Sequence, residues 1–201
     1  MTDTTTWTRR RLSPLRDLHA ADLLERTARY IDRGGEVTPE PLARRPGGLL
    51  CRTPLLHLPY RRDLSVRAAD GGEATPRVNT PLDPTADPRP DQISTGGLLV
   101  SAAPFQWQAA ELRLTGDHQE FVWAPLRLWA LEWLQPRVAD EAPDLLGVIH
   151  SLSDPEPMRG GVRMRVDFGS APPDCVPEMI EALALVGAEA AALGPAPEAI
   201  H

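Results

Sequence analysis

The chain has 201 residues, a formal net charge of −7 and 21 basic residues, all of them arginine. The absence of lysine excludes Schiff-base catalysis and the lysine of a P-loop phosphate clamp. The negative charge argues against non-specific binding to nucleic acid, which needs basic side chains to neutralise phosphates.

The N-terminal region predicts one amphipathic helix after a mobile start. Residues 1–12 are rich in threonine and arginine, and we expect them not to be tied into a core. Ser13 and Pro14 are typical of a helix start, and Gly34-Gly35 of a helix end, which predicts a helix over 14–33. Its apolar residues form one stripe: Leu15, Leu18, Ala21, Leu24, Ala28 and Ile31.

A proline-rich stretch follows, and it predicts an irregular insertion at about 35–95. Within it, Leu49 to Leu58 is a candidate edge strand, and Asp63 to Ala68 is a candidate short partner for that strand. Residues 70–95 lack apolar periodicity and indicate an extended loop that either wraps the domain or is disordered.

The segment from Gly96 to Gln135 organises the fold, and it predicts an antiparallel meander that leads into a helix. Three strands are expected between residues 97 and 124: an apolar run at 98–100, then two alternating runs at 106–115 and 119–124. The two alternating runs flank Gly116-Asp117, a pair suited to a tight turn, and therefore predict a hairpin.

Pro125 and Pro136 bracket a predicted helix over 125–135 that is apolar almost all round. Such a helix must be covered on both sides, which leaves two alternatives. Either it lies at the centre of its own domain, or it forms an interface with another chain, since tryptophan is enriched at binding hot spots. The candidate interface residues are Leu126, Trp129, Trp133 and Trp123.

The C-terminal half predicts two more strands and a last helix. Leu145 to Ser151 is a short buried strand candidate, and the alternation from Val162 to Phe168 is the clearest strand pattern in the chain. A helix is expected over 174–193, between two prolines and Gly194-Pro195. Its apolar face consists of Val176, Met179, Ile180, Leu183, Val186 and Ala190.

Several residues resemble catalytic motifs, but none forms a complete one. Asp167-Phe168-Gly169 matches the kinase metal-binding triplet, yet no glycine-rich loop or lysine accompanies it, so we interpret it as a strand that ends in a glycine turn. His118 lies between acidic neighbours and is expected in a solvated turn. Acidic residues that could supply a hydrolytic pair lie in proline-containing loops: Asp140, Glu141, Asp144, Asp154 and Glu156.

A thiol–imidazole pair is the remaining catalytic possibility, formed from Cys175 with His57 or His150. A position near a helix start would lower the pKa of the Cys175 thiol. The other cysteine, Cys51, forms no C-x-x-C pair with Cys175, so neither a disulfide framework nor a zinc site is predicted. We predict no catalytic residue, no cofactor and no metal.

The remaining features indicate a cytoplasmic protein. The basic run Arg9-Arg10-Arg11 is not followed by an apolar run, so no signal peptide is predicted. No stretch approaches the roughly 18 apolar residues that a membrane span requires. We expect no membrane and no nucleic-acid partner.

Taken together, residues 13–201 predict one α+β domain, with an antiparallel five-stranded twisted sheet, helices mainly on one face and the proline-rich insertion. The order α-βββ-α-ββ-α over Leu98 to Gln135 and Leu145 to Leu193 resembles the type III secretion chaperone-like fold. That resemblance implies a small, acidic, cytoplasmic homodimer that binds an unfolded segment of a partner and dimerises through the helix between the strand sets.

Three functional hypotheses follow from the sequence. The first is a non-enzymatic chaperone or adaptor that acts as a homodimer and binds a protein partner. The second is an immunity-type protein that neutralises a basic toxin with its acidic surface. The third is a small hydrolase or thiol enzyme that uses Cys175 or His150.

Overall fold

The helices of this computed structural model largely follow the sequence prediction. The structure describes residues 4–39, 56, 58–67, 73–74, 80, 89–136 and 145–196. The predicted N-terminal and middle helices are confirmed as α2 and α3, whereas the predicted last helix is ten residues long and ends at Ala184. The helical segments are α1 (Thr4–Trp7), a π-helical turn (Thr8–Leu12), α2 (Ser13–Asp32), α3 (Ala124–Trp133) and α4 (Cys175–Ala184).

The first residues of the described chain are packed, which corrects the expectation that residues 1–12 are not tied into a core. Trp7 is 1% exposed, and Leu12 is fully buried in the main core. Their burial holds the N-terminal helical segment against the rest of the chain, because large apolar side chains removed from water stabilise such a contact.

A small antiparallel sheet consists of β1 (Glu36–Pro39), β2 (Leu64–Arg67) and β3 (Glu73–Ala74), in that spatial order. The strand expected near residues 63–68 is therefore confirmed as β2. Its neighbours are β1 and β3, and not the candidate edge strand at 49–58, most of which lies outside the described residues.

The large sheet is mixed, which corrects the prediction of a purely antiparallel sheet. The spatial order is β4-β5-β10-β6-β9-β7, with β8 also paired to β9, and the β10–β5 pair is parallel. The strands are β4 (Asp91–Thr95), β5 (Leu98–Ala102), β6 (Ala110–Thr115), β7 (Ser151–Leu152), β8 (Glu156–Met158), β9 (Gly161–Asp167) and β10 (Ala190–Pro195).

The hairpin expected at Gly116-Asp117 is wrong, because residues 119–124 form no strand. The backbone N–H of Val122 instead donates to Val186 O at 2.9 Å, and β6 pairs with β10 and β9. The hairpin of this region joins β4 and β5 at Gly96-Gly97, where both φ angles are positive (57° and 85°). Two positive φ angles are what a two-residue hairpin loop of type I′ requires, and glycine adopts them without strain.

β10 occupies a central place in the sheet, although its sequence was predicted as the end of a helix. It lies between β5 and β6, with Ala191 and Leu193 buried. The strand in the region expected at 145–151 is also shorter than predicted, since β7 contains only Ser151 and Leu152. The observed order from residue 98 onward is therefore β-β-α-β-β-β-α-β, which differs from the order that carried the family resemblance.

The main core lies among the large sheet, α3 and α4. α3 and α4 pack against each other, and α4 contacts β4 and β5. Three aromatic residues form a group within this core: the Trp107 and Phe168 ring centroids are 4.8 Å apart, and Phe105 lies beside both. A second, small apolar cluster joins α2 to the small sheet and consists of Ala20, Leu23, Leu64 and Leu145.

Candidate functional site

The residues predicted as an interface on α3 are covered by the chain itself. Leu126, Trp129 and Trp133 are at most 5% exposed, and Trp123 is partly buried, with its ring edge-on to Phe121. The indole N–H of Trp129 donates to Cys175 O at 2.9 Å. Of the two alternatives for this helix, the structure shows the one in which α3 is a central helix of its own domain.

The burial of α3 removes the argument that this helix needs a second chain. The indole N–H of Trp133 also donates inside the chain, to Glu178 Oε2 at 2.8 Å. Leu128, which is 64% exposed, is the large apolar side chain of α3 that faces water. A protein-binding surface on α3 could not include Trp129 and Trp133, because both are buried in the chain.

The apolar stripe of α2 faces away from the chain, although the amphipathic pattern predicted its burial. Leu18, Leu24 and Ile31 are 48%, 38% and 55% exposed. We call this surface the outer stripe, and it consists of Leu18, Ala21, Leu24, Ala28 and Ile31, all exposed.

The inner face of α2 has fewer apolar side chains than the outer stripe, and it is partly polar. Ala20 and Leu23 belong to the small cluster with the β1–β2 sheet, and His19 and Thr27 are also buried. The helix is therefore docked through its more polar side, which leaves the longer aliphatic side chains outside. Contiguous exposed apolar surface of this kind marks interaction sites in soluble proteins.

Charged pairs border the outer stripe. Glu25 accepts a hydrogen bond from Arg29, and Asp22 accepts one from Arg26 at 2.9 Å, each pair four residues apart on the helix. Such pairs stabilise the helix only slightly at an exposed position. They place charged side chains along one side of the aliphatic stripe.

A polar cluster brings together residues from three separate segments of the chain. His150 Nε2 is 2.7 Å from Asp63 Oδ2, and His150 Nδ1 is 3.4 Å from Asp167 Oδ2. Asp63 Oδ1 also accepts hydrogen bonds from the hydroxyl of Ser170 and from the backbone N–H of Leu146, the latter at 3.0 Å. Every carboxylate oxygen of Asp63 therefore has a donor, as a buried charge requires.

The two carboxylates fix the charge of the His150 imidazole. Burial on its own lowers the pKa of His150, but the negative charges and hydrogen bonds of Asp167 and Asp63 outweigh it and raise the pKa to about 10. Burial likewise opposes the charged form of Asp63, while the contacts with His150, Ser170 and Leu146 prevail and lower its pKa. The cluster is an ion pair at neutral pH, so His150 is not a general base there.

The hydroxyl of Ser170 is also fully engaged, so it is not placed as a nucleophile. Its Oγ donates to Asp63 and accepts from the backbone N–H groups of Gly147 at 2.9 Å and Val148 at 3.2 Å. No hydrogen bond joins it to His150 among the described contacts. The serine–histidine arrangement of acyl-transfer enzymes is therefore not formed.

The Asp167-Phe168-Gly169 triplet is a strand end followed by a glycine turn, as predicted. Gly169 has φ +51°, and a Cβ on it would lie 2.4 Å from His150 Cδ2 and 2.5 Å from Val148 O. The glycine is needed because the imidazole packs directly on its backbone. Asp167 Oδ1 accepts from the Gly169 N–H at 2.9 Å, which closes the turn.

His19 lies near this cluster on the inner face of α2. It is 1% exposed, and neither ring nitrogen has a well-aligned hydrogen bond. Burial lowers the pKa of His19 and the charge of His150 lowers it further, while Asp167, Gln108 and Asp63 raise it and do not prevail. His19 is therefore neutral at pH 7.

The thiol–imidazole pair considered from the sequence is not formed by Cys175 and His150. Cys175 is fully buried at the start of α4, and both ring nitrogens of His150 face carboxylates. His57 and Cys51 lie outside the described residues. In the described part of the chain, no group of three or more His, Cys, Asp or Glu side chains is arranged to hold a metal ion.

The other acidic candidates have ordinary surface roles where the structure describes them. Asp154 Oδ1 accepts from the backbone N–H of Leu56 at 2.8 Å, and Glu156 pairs with Arg163 at 3.0 Å. His118 is exposed in the turn after β6, as expected. Asp140, Glu141 and Asp144 lie outside the described residues.

Sequence reasoning missed the cluster because its members are far apart along the chain. Asp63 lay in the predicted irregular insertion, and it meets Ser170 across 107 positions. The only local indication of the cluster in the sequence was Asp167, a charged residue near the end of the strongest strand pattern.

Comparisons with known proteins add no identification. A scan against protein-family models finds no match to the chain, and searches of curated proteins and of solved structures find none either. Among the described residues, no helix is both long enough and apolar enough to cross a membrane.

Proposed function

We propose that this chain is a non-enzymatic protein-binding module of the chaperone or adaptor kind, and that it acts as a small acidic homodimer joined through α2. The observation that carries the proposal is the outer stripe, an aliphatic surface on a 20-residue helix whose opposite face is buried in the chain. The proposal moves the interface from α3, where the sequence suggested it, to α2.

The outer stripe has a repeat that suits helix-to-helix packing. Ala21, Leu24, Ala28 and Ile31 are spaced by three, four and three residues, the alternation that keeps one seam facing a partner helix. The alanines let two backbones approach closely, while the larger residues fill the space on either side.

The stripe also matches itself when two copies run antiparallel. Read along the helix, the side chains alternate large, small, large, small and large around Leu24. With the twofold axis between residues 24 and 25, Ala21 lies level with Ala28 of the second chain, Leu18 lies level with Ile31, and the two Leu24 side chains flank the axis. This self-match favours a symmetric dimer, the commonest form of soluble oligomer.

The dimer is tested by sedimentation equilibrium on the full chain. We expect wild type to dimerise and Leu24→Glu to weaken the dimer by at least about 100-fold, because the substitution places two unpaired carboxylates at the axis. Leu185→Glu is the matched control, since Leu185 is 69% exposed and lies outside the stripe. A wild-type chain that stays monomeric at high micromolar concentration overturns the proposal.

The immunity-type alternative also has a specific observation in its favour. The exposed side of α4 and the turn before it present three acidic residues, Asp174, Glu178 and Glu181, and Glu132 of α3 is exposed too. A basic partner would bind this surface with an affinity that falls steeply as salt is added. Salt-insensitive binding, or binding unchanged by Glu181→Gln, would exclude it.

A further inference from the structure

α2 is attached to the rest of the chain at two separate places. Its N-terminal end continues from the π-helical turn, where Trp7 and Leu12 are buried in the main core. Beyond its first turn, the buried apolar side chains of α2 are Ala20 and Leu23, which belong to the small cluster and not to the main core. The body of α2 is therefore docked by few apolar contacts, and a segment docked in this way opens at a lower cost in free energy than the core does.

His19 is buried within this docked face. It is 1% exposed, and neither ring nitrogen has a well-aligned hydrogen bond. The groups that act on its imidazole are the charged side chains of His150, Asp63 and Asp167 and the side-chain amide of Gln108. A neutral imidazole has one N–H donor and an imidazolium has two, so protonation adds a charge and a second donor to a site that water does not reach.

The two carboxylates near His19 are already used by other donors. Both oxygens of Asp63 accept hydrogen bonds, and Asp167 accepts one from the Gly169 N–H while its other oxygen lies 3.4 Å from His150 Nδ1. The protonated ring of His150 also repels a second cation. The carboxylates favour the charged form of His19, but burial outweighs them and keeps its pKa below the ordinary 6.5.

The other charged groups on the elements around α2 face water or pair elsewhere. Those of β1, β2 and β9 are exposed: Glu36, Arg67, Arg163 and Arg165. The buried Arg61, which precedes β2, donates from Nε to Leu134 O at 2.7 Å. In the π-helical turn and in α2 itself, charged side chains form the pairs Arg10 and Arg11 with Asp91, Arg16 with Asp17, Asp22 with Arg26, and Glu25 with Arg29.

We propose that α2 is a pH-controlled segment: a proton on His19 releases the inner face of the helix from the small sheet and the polar cluster, while the π-helical turn keeps its N-terminal end attached to the main core. Release brings the imidazolium into water, which is how a buried histidine acts as a switch. It also uncovers Ala20, Leu23 and Thr27, so the inner face becomes accessible together with the outer stripe.

The direction of the switch follows from the two states of His19. The pKa of His19 is lowered while the helix is docked, and it returns toward 6.5 when the helix is released. Release is therefore rare above pH 6.5 and increases as the pH falls below it. His150 stays protonated in both states, because its two carboxylate partners come from segments other than α2.

The test is hydrogen–deuterium exchange of the full chain at pH 7.5 and pH 5.5, with each rate divided by the random-coil rate at the same pH. We expect the protection of residues 18–32 to fall about fivefold at pH 5.5. At that pH these residues should exchange at least about tenfold faster than β6 and β9. Their exchange should also change little in about 1 M urea, since a local opening exposes little surface.

Two outcomes in the wild-type chain overturn the proposal. The first is protection of residues 18–32 that is the same at both pH values. The second is protection and urea dependence in α2 equal to those of β6 and β9, because His19 would then reach water only when the whole chain unfolds.

Variants assign the effect to His19. His19→Leu and His19→Gln cannot take up the proton, so the protection of α2 should differ between the two pH values by less than about twofold. His118→Leu is the matched control, since His118 is exposed, and it should keep the wild-type response. An acid response that persists in either His19 variant overturns the proposal, and the wild-type comparison decides where neither variant folds.

The switch and the proposed dimer are tested separately, because they use opposite faces of α2. A dimer through the outer stripe adds protection to α2 at both pH values, so the exchange is repeated with Leu24→Glu. Acid release in Leu24→Glu supports the switch whatever the oligomeric state of wild type. Its absence there refutes the switch and leaves the dimer untouched.

Discussion

Two neighbouring histidines carry different charges at neutral pH, one being protonated and the other neutral. His150 is protonated between Asp63 and Asp167, whereas His19 is neutral because burial, which lowers its pKa, outweighs the contributions of Asp167, Gln108 and Asp63 that raise it. The free energy of unfolding therefore falls toward acid pH because of His19 and toward alkaline pH because of His150. In mild acid it is His19, on α2, whose protonation opposes folding.

The lowered pKa of His19 predicts that the fold loses stability below pH 6.5. Its pKa is lower in the folded chain than the ordinary 6.5, so at pH 5.5 the unfolded chain takes up a proton that the folded chain refuses. His19→Leu should remove this loss and raise the free energy of unfolding at pH 5.5, relative to pH 7.5, by about 1 kcal/mol more than in wild type. Urea unfolding at both pH values measures the difference.

The control for this experiment is His118→Leu, since His118 is exposed in a turn. It should leave the wild-type pH dependence unchanged. An equal response of His19→Leu and His118→Leu would contradict the assignment of the acid sensitivity to His19.

His150 predicts the opposite behaviour at alkaline pH. Because its folded pKa is raised to about 10, its contribution is complete below pH 6.5 and is lost as pH rises toward 10. Asp63→Asn removes one of the two carboxylates and should destabilise the fold by about 3 kcal/mol, since it leaves a buried charge with less compensation. It should also flatten the stability profile between pH 7 and pH 9.

Asp117→Asn is the matched control for Asp63→Asn, because Asp117 is exposed. It should change the free energy of unfolding by less than about 1 kcal/mol. An alkaline profile that Asp63→Asn leaves unaltered would show that the two carboxylates do not set the pKa of His150.

At the level of single elements, the strand β9 was predictable and its neighbours were not. Its alternation of buried Val162, Met164 and Val166 with exposed arginines reflects one buried face, which a period of two reports directly. β10 carries a run of alanines, whose intrinsic preference is helical, and its strand state comes from pairing with β5 and β6. Sequence alone cannot show such long-range pairing.

Helix prediction succeeded in position for α2 and α3, and it failed in orientation for α2. α2 and α3 lie where their proline and glycine signals placed them. The side that each buries depends on what the rest of the chain offers, and α2 docks by His19, Ala20 and Leu23 because the small sheet and the polar cluster meet it there. The amphipathic pattern predicted the reverse, since it ranks faces by apolarity alone.

β9 also supplies a prediction about register. Gly161 pairs with Thr115, and a Cβ on it would lie 1.9 Å from Leu114 O. Gly161→Ala should therefore destabilise the fold by more than about 3 kcal/mol, because backbone on the adjacent strand must move. Gly160→Ala is the control: Gly160 has φ +80°, but a Cβ on it would meet open space, so only about 1 kcal/mol of backbone strain is expected.

The two variants separate the cost of a steric contact, expected at Gly161, from the cost of a strained backbone angle, expected at Gly160. Urea unfolding of the two variants measures both terms. Equal losses would mean that the β6–β9 pairing tolerates a side chain at Gly161, contrary to the described register.

At the scale of the whole molecule, the proposed dimer makes stability depend on concentration. If folded chains associate through the outer stripe and unfolded chains do not, mass action stabilises the folded state as protein concentration rises. Wild type should then show a Tm that increases with concentration, by a few degrees per tenfold change. Leu24→Glu should show a Tm independent of concentration, and Leu185→Glu should behave as wild type. Calorimetry over a hundredfold range of concentration decides between these outcomes, because a monomer with an unused aliphatic stripe gives the same Tm throughout. The measurement needs no knowledge of the client, so it tests the α2 interface on its own.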